Sequence, residues 1–157
     1  IKVTEKEIEA LKNEIAELKK TVNDQSSKLQ TADQNTAAIQ KKTAELEQKI
    51  QKLEAEKQKL EEAEFTGAAV TVKKTTAGTK KIKVTWKKLN SAKGYEISYA
   101  LKSNFKGAKK VTTTKTKKTL TKLKSGKKYY VRVRAYKNVN GKKVYTKYST
   151  ILSVKVK

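Results

Sequence analysis

The chain has 157 residues, 39 of them Lys or Arg against 15 Asp or Glu, for a formal net charge of +24, and it contains neither Cys nor His. Thiol and imidazole metal sites, Cys nucleophiles, His general bases and disulfides are therefore excluded. No run of about 18 apolar residues occurs, so no segment reads as a membrane-spanning helix.

The charge is unevenly placed. Residues 1–64 carry 12 Lys and 14 acids, whereas residues 65–157 carry 27 Lys or Arg and a single acid, Glu96, for a net of +26. Such asymmetry implies anionic surroundings or an anionic partner. One carboxylate cannot form a paired-carboxylate site, and a helical stalk offers no concave pocket in which to perturb its own acids. The expectation is a non-enzyme with no cofactor and no metal. The chain lacks Met and begins at Ile1, which points to a processed or excised fragment whose targeting signals have been removed.

One heptad register holds from Ile1 to Glu64. With Ile1 at a, the a column continues Ile8, Ile15, Val22, Leu29, Thr36, Thr43, Ile50 and Lys57. The d column reads Thr4, Leu11, Leu18, Gln25, Ala32, Ile39, Leu46, Leu53 and Leu60. The expected oligomerisation seam is thus Ile8, Leu11, Ile15, Leu18, Val22, Leu29, Ile39, Leu46, Ile50, Leu53 and Leu60. A seam this narrow needs a partner strand. No Gly or Pro falls between Glu5 and Glu64, and Glu, Lys, Leu, Ala and Gln are strong helix formers.

β-Branched residues at a with Leu at d, as in Ile8/Leu11, Ile15/Leu18 and Ile50/Leu53, favour two parallel strands, with a trimer as the second arrangement. In a parallel pair each g residue meets the partner's e residue five positions later. Glu7–Lys12, Glu14–Lys19, Lys28–Asp33, Lys42–Glu47 and Lys49–Glu54 are then attractive, and Glu56–Glu61 alone is repulsive. A fully overlapping antiparallel pair has three attractive and two repulsive contacts. Each exposed pair contributes only a few tenths of a kcal/mol, so the balance sets direction rather than stability. The stalk is weakest at Asn23-Asp24-Gln25-Ser26-Ser27, a poor helix segment. The heptad phase survives it, which favours a polar layer in a continuous helix over a hinge.

After a junction at residues 65–67 the apolar period changes from 3.5 to 2. Val70/Val72, Ile82/Val84/Trp86, Tyr95/Ile97/Tyr99, Val111, Leu120/Leu123, Tyr129/Val131/Val133/Ala135 and Ile151/Val154/Val156 form seven short runs. Turn residues separate them at Gly78, Asn90–Gly94, Ser103–Gly107, Ser125-Gly126 and Asn140-Gly141. The fold class expected is α + β in separate domains: a coiled-coil stalk over 1–64 and a seven-strand antiparallel β-sandwich over 68–157.

Ile82-Lys83-Val84-Thr85-Trp86 resembles the second strand of a fibronectin type III domain, and Gly94-Tyr95-Glu96-Ile97-Ser98-Tyr99 resembles the third. The segment from Leu123 to Ala135 is similar to the family's E–F corner and sixth strand. That resemblance gives Tyr129 the tyrosine-corner role, its hydroxyl returning to the backbone near Leu123. Two departures are Ser125 in place of the corner Pro and a long Lys137–Tyr148 segment, where Asn140-Gly141 points to a type I′ hairpin. Lys/Thr-rich versions with such hairpins resemble modules of Gram-positive surface and secreted proteins. No Arg-Gly-Asp occurs, so the integrin-binding loop of some members does not carry over. Glu96 alternates with Tyr95 and Ile97 and is expected to face outward, leaving no buried acid for an internal isopeptide bond.

On the sixth strand, Tyr130, Arg132, Arg134 and Tyr136 are expected on one face, with the chain's only two arginines between two tyrosines. Planar guanidinium forks beside phenol rings suit phosphate, carboxylate or glycan recognition. Ordinary sheet surface, with long stems lying over tyrosines, is the blander reading and the favoured one. The lysines are spread over nearly every strand and loop, which points to solubility and diffuse attraction to an anionic cell-wall polymer rather than to one docking groove. A nucleic-acid reader would concentrate its charge and prefer Arg, so nucleic acid ranks below the wall polymer.

Three function classes follow. The first is a structural or adhesive module of a secreted or cell-surface bacterial protein, a dimerising stalk presenting cationic heads. The second is an accessory region of a larger secreted cell-wall enzyme. The third is a nonspecific nucleic-acid-binding protein.

Overall fold

The computed structural model describes residues 5–157; the start of the heptad register, with Ile1 and Thr4 in the seam, lies outside the described residues. The chain divides into two compact units that part after Ala55, the second being Glu56–Lys157.

Helix α1 runs Glu5–Gly67, 63 residues, and passes without a break through Asn23–Ser27. At 1.5 Å per residue such a helix is roughly 95 Å long. Its threonines are accommodated locally: the hydroxyls of Thr21, Thr31 and Thr36 donate to the carbonyls of Glu17, Ser27 and Ala32 at 2.9–3.1 Å. The eleven seam side chains are all exposed, from 44% at Ile8 to 67% at Leu29. No helix among the described residues is long and apolar enough to cross a membrane.

The residues expected to form a junction, 65–67, are helical, and α1 ends at Gly67. Phe65, on its last turn, is 5% exposed and belongs to the core of the second unit. The ammonium of Lys137 sits 4.8 Å from its ring centroid.

The rest of the second unit is a sandwich of two antiparallel sheets. Its strands are β1 (Val72–Gly78), β2 (Lys81–Trp86), β3 (Gly94–Ala100), β4 (Lys109–Thr113), β5 (Lys117–Leu120), β6 (Lys128–Val139), β7 (Lys142–Tyr145) and β8 (Leu152–Lys155). One sheet is ordered β1-β2-β5; the other is β4-β3-β6-β7, with β8 also pairing β6. Eight strands are present among the described residues where alternation predicts seven. The addition is β7, whose Lys-Lys-Val-Tyr sequence lacks alternation and which forms because Asn140 (φ 50°) and Gly141 (φ 78°) close the predicted two-residue turn. Leu123, grouped with Leu120 by pattern, lies beyond the end of β5 but still enters the core.

Between the sheets lie Ile82, Val84 and Trp86 of β2, Tyr95 and Ile97 of β3, and Tyr129, Val131, Val133 and Ala135 of β6, with Leu120, Leu123, Val70, Val156 and Phe65. Period-2 alternation produces this directly, since every second residue of each strand points inward. Trp86 packs against Tyr95 with ring centroids 5.3 Å apart. The Tyr129 hydroxyl accepts a 3.1 Å hydrogen bond from the Lys124 amide, on the backbone next to Leu123.

Candidate functional site

The outward face of β6 carries the candidate residues. Tyr130, Arg132, Arg134 and Tyr136 lie opposite Ala100, Ser98, Glu96 and Gly94 of β3, so one face of two paired strands presents all four, as alternation requires. Their partners come from segments that alternation does not connect.

The Arg132 guanidinium lies between two rings, 4.0 Å from the Phe105 centroid and 3.8 Å from that of Tyr148. The Arg134 guanidinium is 3.7 Å from Tyr145 and 4.7 Å from Tyr148. Phe105, Arg132, Tyr148, Arg134 and Tyr145 thus alternate ring and cation. Each contact contributes about 0.5–2 kcal/mol, more as water is excluded.

Tyr148 is placed by the hydroxyls on either side of it. The Thr146 hydroxyl accepts from the Ala135 amide at 2.9 Å, and the Ser149 hydroxyl accepts from the Val133 amide at 2.9 Å. The same hydroxyls donate to the carbonyls of Lys147 and Thr150. Backbone bonds Thr146 N to Ala135 O, 3.0 Å, and Ser149 N to Val133 O, 2.7 Å, complete the attachment. Two short hydroxyl residues therefore replace strand pairing where β7 has ended and β8 has not begun.

Glu96 corrects an expectation. It points to the outer side of its sheet, as alternation requires, yet it is only 7% exposed. Arg134 Nε and Nη2 both donate to its Oε1 at 2.9 Å. The Tyr148 hydroxyl donates to the same oxygen at 3.3 Å, and Lys110 Nζ stands 3.8 Å away. A carboxylate on a solvent-facing strand position has been covered by a layer of arginine and tyrosine.

Tyr136 covers Gly94, where an added Cβ would lie 2.5 Å from the phenol oxygen, and meets Tyr145 edge-on at 6.2 Å. Ser98 is fully buried beside Arg132; its Oγ and the Arg132 Nε have no hydrogen-bond partner among the described residues. The structure thus brings the four expected residues to one face but directs the Arg134 fork at Glu96 and sets Arg132 against the rings of Phe105 and Tyr148. Sequence reasoning missed Phe105, Tyr145 and Tyr148. The available signal was two tyrosines in a segment too long for a plain connection.

Comparison with known proteins agrees with this architecture. Residues 68–151 match the fibronectin type III domain family. The chain belongs to that family, whose domains are commonly structural or adhesive modules and are generally non-catalytic. A human fibronectin type III domain, from the KIAA0970 protein, superposes with a TM-score of 0.50 at 17% identity, covering 64% of this chain and 80% of that one. The chicken CNTN1 FN1-FN3 domains give a TM-score of 0.49 at 22% identity over 58% of this chain. This chain spans 31% of that chicken structure. No curated protein matches the chain in sequence.

Proposed function

We propose that the chain is a non-enzymatic structural or adhesive module of a secreted or cell-surface bacterial protein. Its helix pairs in parallel with a second copy, and the two fibronectin type III heads meet an anionic envelope polymer or a partner protein. One observation carries the reading: eleven apolar side chains at a and d positions of one helix, each 44–67% exposed. A single helix cannot bury such a stripe on itself, and the interchain g–e charges favour a parallel copy over an antiparallel one. Two heads on one stalk would gain avidity on a repetitive polymer.

In this reading the distributed lysines hold the polymer. Arg132 and Arg134, engaged by Phe105, Tyr145, Tyr148 and Glu96, serve chiefly to seat the β7–β8 segment. Tyr130 and Tyr136 border that layer.

Sedimentation equilibrium tests the first half: the mass expected is about twice the 17.7 kDa of one chain, and a monomer at tens of micromolar overturns it. Retention on purified cell walls, with and without teichoic acids, tests the second. It is expected to fall smoothly over roughly 50–300 mM salt and to tolerate any single Lys→Ala change. No retention at the lowest salt overturns it.

A further inference from the structure

A cavity of about 340 Å³ is lined by the 101–108 loop, the 121–127 loop and the strand residues beside them. Its floor includes Leu123 and Tyr129 of the core and the partly buried Tyr99, with the two tyrosine rings 6.4 Å apart. Leu101 stands at its rim, 45% exposed, an apolar side chain left in water beside an apolar floor. Five lysines surround that floor, Lys102, Lys106, Lys109, Lys122 and Lys124. None of them forms an ion pair among the described residues, and no acid lines the cavity.

Both walls are held before any ligand arrives. In the first loop the Phe105 amide donates to the Lys102 carbonyl at 3.0 Å, and the Lys106 amide to Asn104 Oδ1 at 3.1 Å. In the second, the Leu123 amide donates to the Lys80 carbonyl at 3.0 Å, and the Lys124 amide to the Tyr129 hydroxyl. Lys122 is kept at φ 58° and Phe105 at φ 57°, left-handed conformations that residues with side chains adopt only when their surroundings impose them.

We propose that this cavity is a binding site for an anionic sugar residue, a pyranose bearing a carboxylate or a phosphate. A concave apolar floor with a few polar groups at its edge is the usual form of a small-ligand site, and its volume suits one or two sugar rings. The ring lies on Tyr99 and Leu101, and the negative charge relieves the mutual repulsion of the lysines. The inference goes beyond the diffuse attraction above, which needs no pocket.

Isotope-labelled full chain is titrated with trigalacturonic acid, with uncharged maltotriose and with inorganic polyphosphate, and amide shifts are followed by NMR. Trigalacturonate is expected to move Gly107, Lys122 and Lys124 saturably, and to do so still at about 150 mM salt, where diffuse attraction is screened. Maltotriose binds more weakly for want of charge. Lys102→Ala with Lys106→Ala weakens trigalacturonate at least about five-fold, whereas Lys83→Ala with Lys117→Ala, on the three-stranded sheet, leaves it within about two-fold.

Shifts spread over the lysine-bearing faces, with both double variants weakened alike, overturn the site and leave the display reading intact. Polyphosphate producing the same confined shifts with equal affinity overturns the sugar specificity. No shift with any of the three at about 5 mM overturns the site and leaves diffuse attraction without support.

Discussion

Arg134 donates from Nε and Nη2 to one oxygen of Glu96, both at 2.9 Å, and Glu96 is the only acid among residues 65–157. The head places its one negative charge under its aromatic layer rather than on its surface. Glu96→Ala would leave the Arg134 guanidinium, 20% exposed, without its acceptor. The expected loss is about 2 kcal/mol, read as a lower urea midpoint at unchanged slope. Glu96→Gln, which keeps an oxygen acceptor in place, is expected to lose less. Equal losses would mean that the charge, not the hydrogen bonds, holds the pair.

Thr146 and Ser149 make a separate, local prediction. Thr146→Val preserves shape but removes the acceptor of the Ala135 amide, and Ser149→Ala does the same to the Val133 amide. Each should cost about 1–3 kcal/mol, because the amide left behind is buried. Tyr148 should also lose its fixed place between the arginines, seen as averaging of its ring resonances. Unchanged ring signals would mean that the arginines alone position Tyr148.

Phe65 shifts the boundary of the folding unit. Phe65→Ala should cost about 3–5 kcal/mol, as for other buried aromatics, although the residue lies in the helix. By the same reasoning a fragment beginning at Glu56 should melt higher than one beginning at Ala68. Coincident melting curves would show that Phe65 contributes nothing to the sandwich.

The stalk prediction separates a parallel from an antiparallel arrangement and locates the contact in the seam. Leu18→Cys in a chain otherwise free of thiols should crosslink to its own counterpart on oxidation, which only a parallel arrangement allows. Leu18→Asp with Leu46→Asp should reduce the sedimenting mass toward one chain, since a charge in the seam must be desolvated on pairing. A mass unchanged by those substitutions would place the contact elsewhere.

Tyr129→Phe tests the corner. The hydroxyl accepts from Lys124 N, so its removal leaves a donor unpaired, at a cost of about 1 kcal/mol or somewhat more. A thermal midpoint unchanged by this substitution would show that the amide finds water instead.

The family and the order of a long helix followed by a sandwich were legible in the sequence because both rest on local periodicity. A 3.5-residue apolar repeat with no Gly or Pro specifies a helix with one sticky edge, whatever lies around it. Alternation through Ile82/Val84/Trp86 and Tyr129/Val131/Val133/Ala135 determines which side of each strand is core, and Asn140-Gly141 determines where a hairpin turns.

The surroundings of the outward residues were not legible, because alternation gives a side chain its direction and not its cover. Glu96 meets Arg134 across 38 positions and Tyr148 across 52, and Phe105 reaches Arg132 from another loop. The Tyr148 contact depends on the path of the chain after β7, which two hydroxyls attach to β6, whereas Glu96 meets Arg134 through the pairing of β3 with β6. In the same way nothing in the helical repeat distinguishes Phe65 from an exposed last-turn residue. The sequence by itself determined the helix, the strands and their inner faces, since those follow from spacing along one segment. Only the tertiary structure decided that Glu96 is covered, that both arginines are stacked and that Phe65 is core, since each requires segments distant in sequence to close over one another.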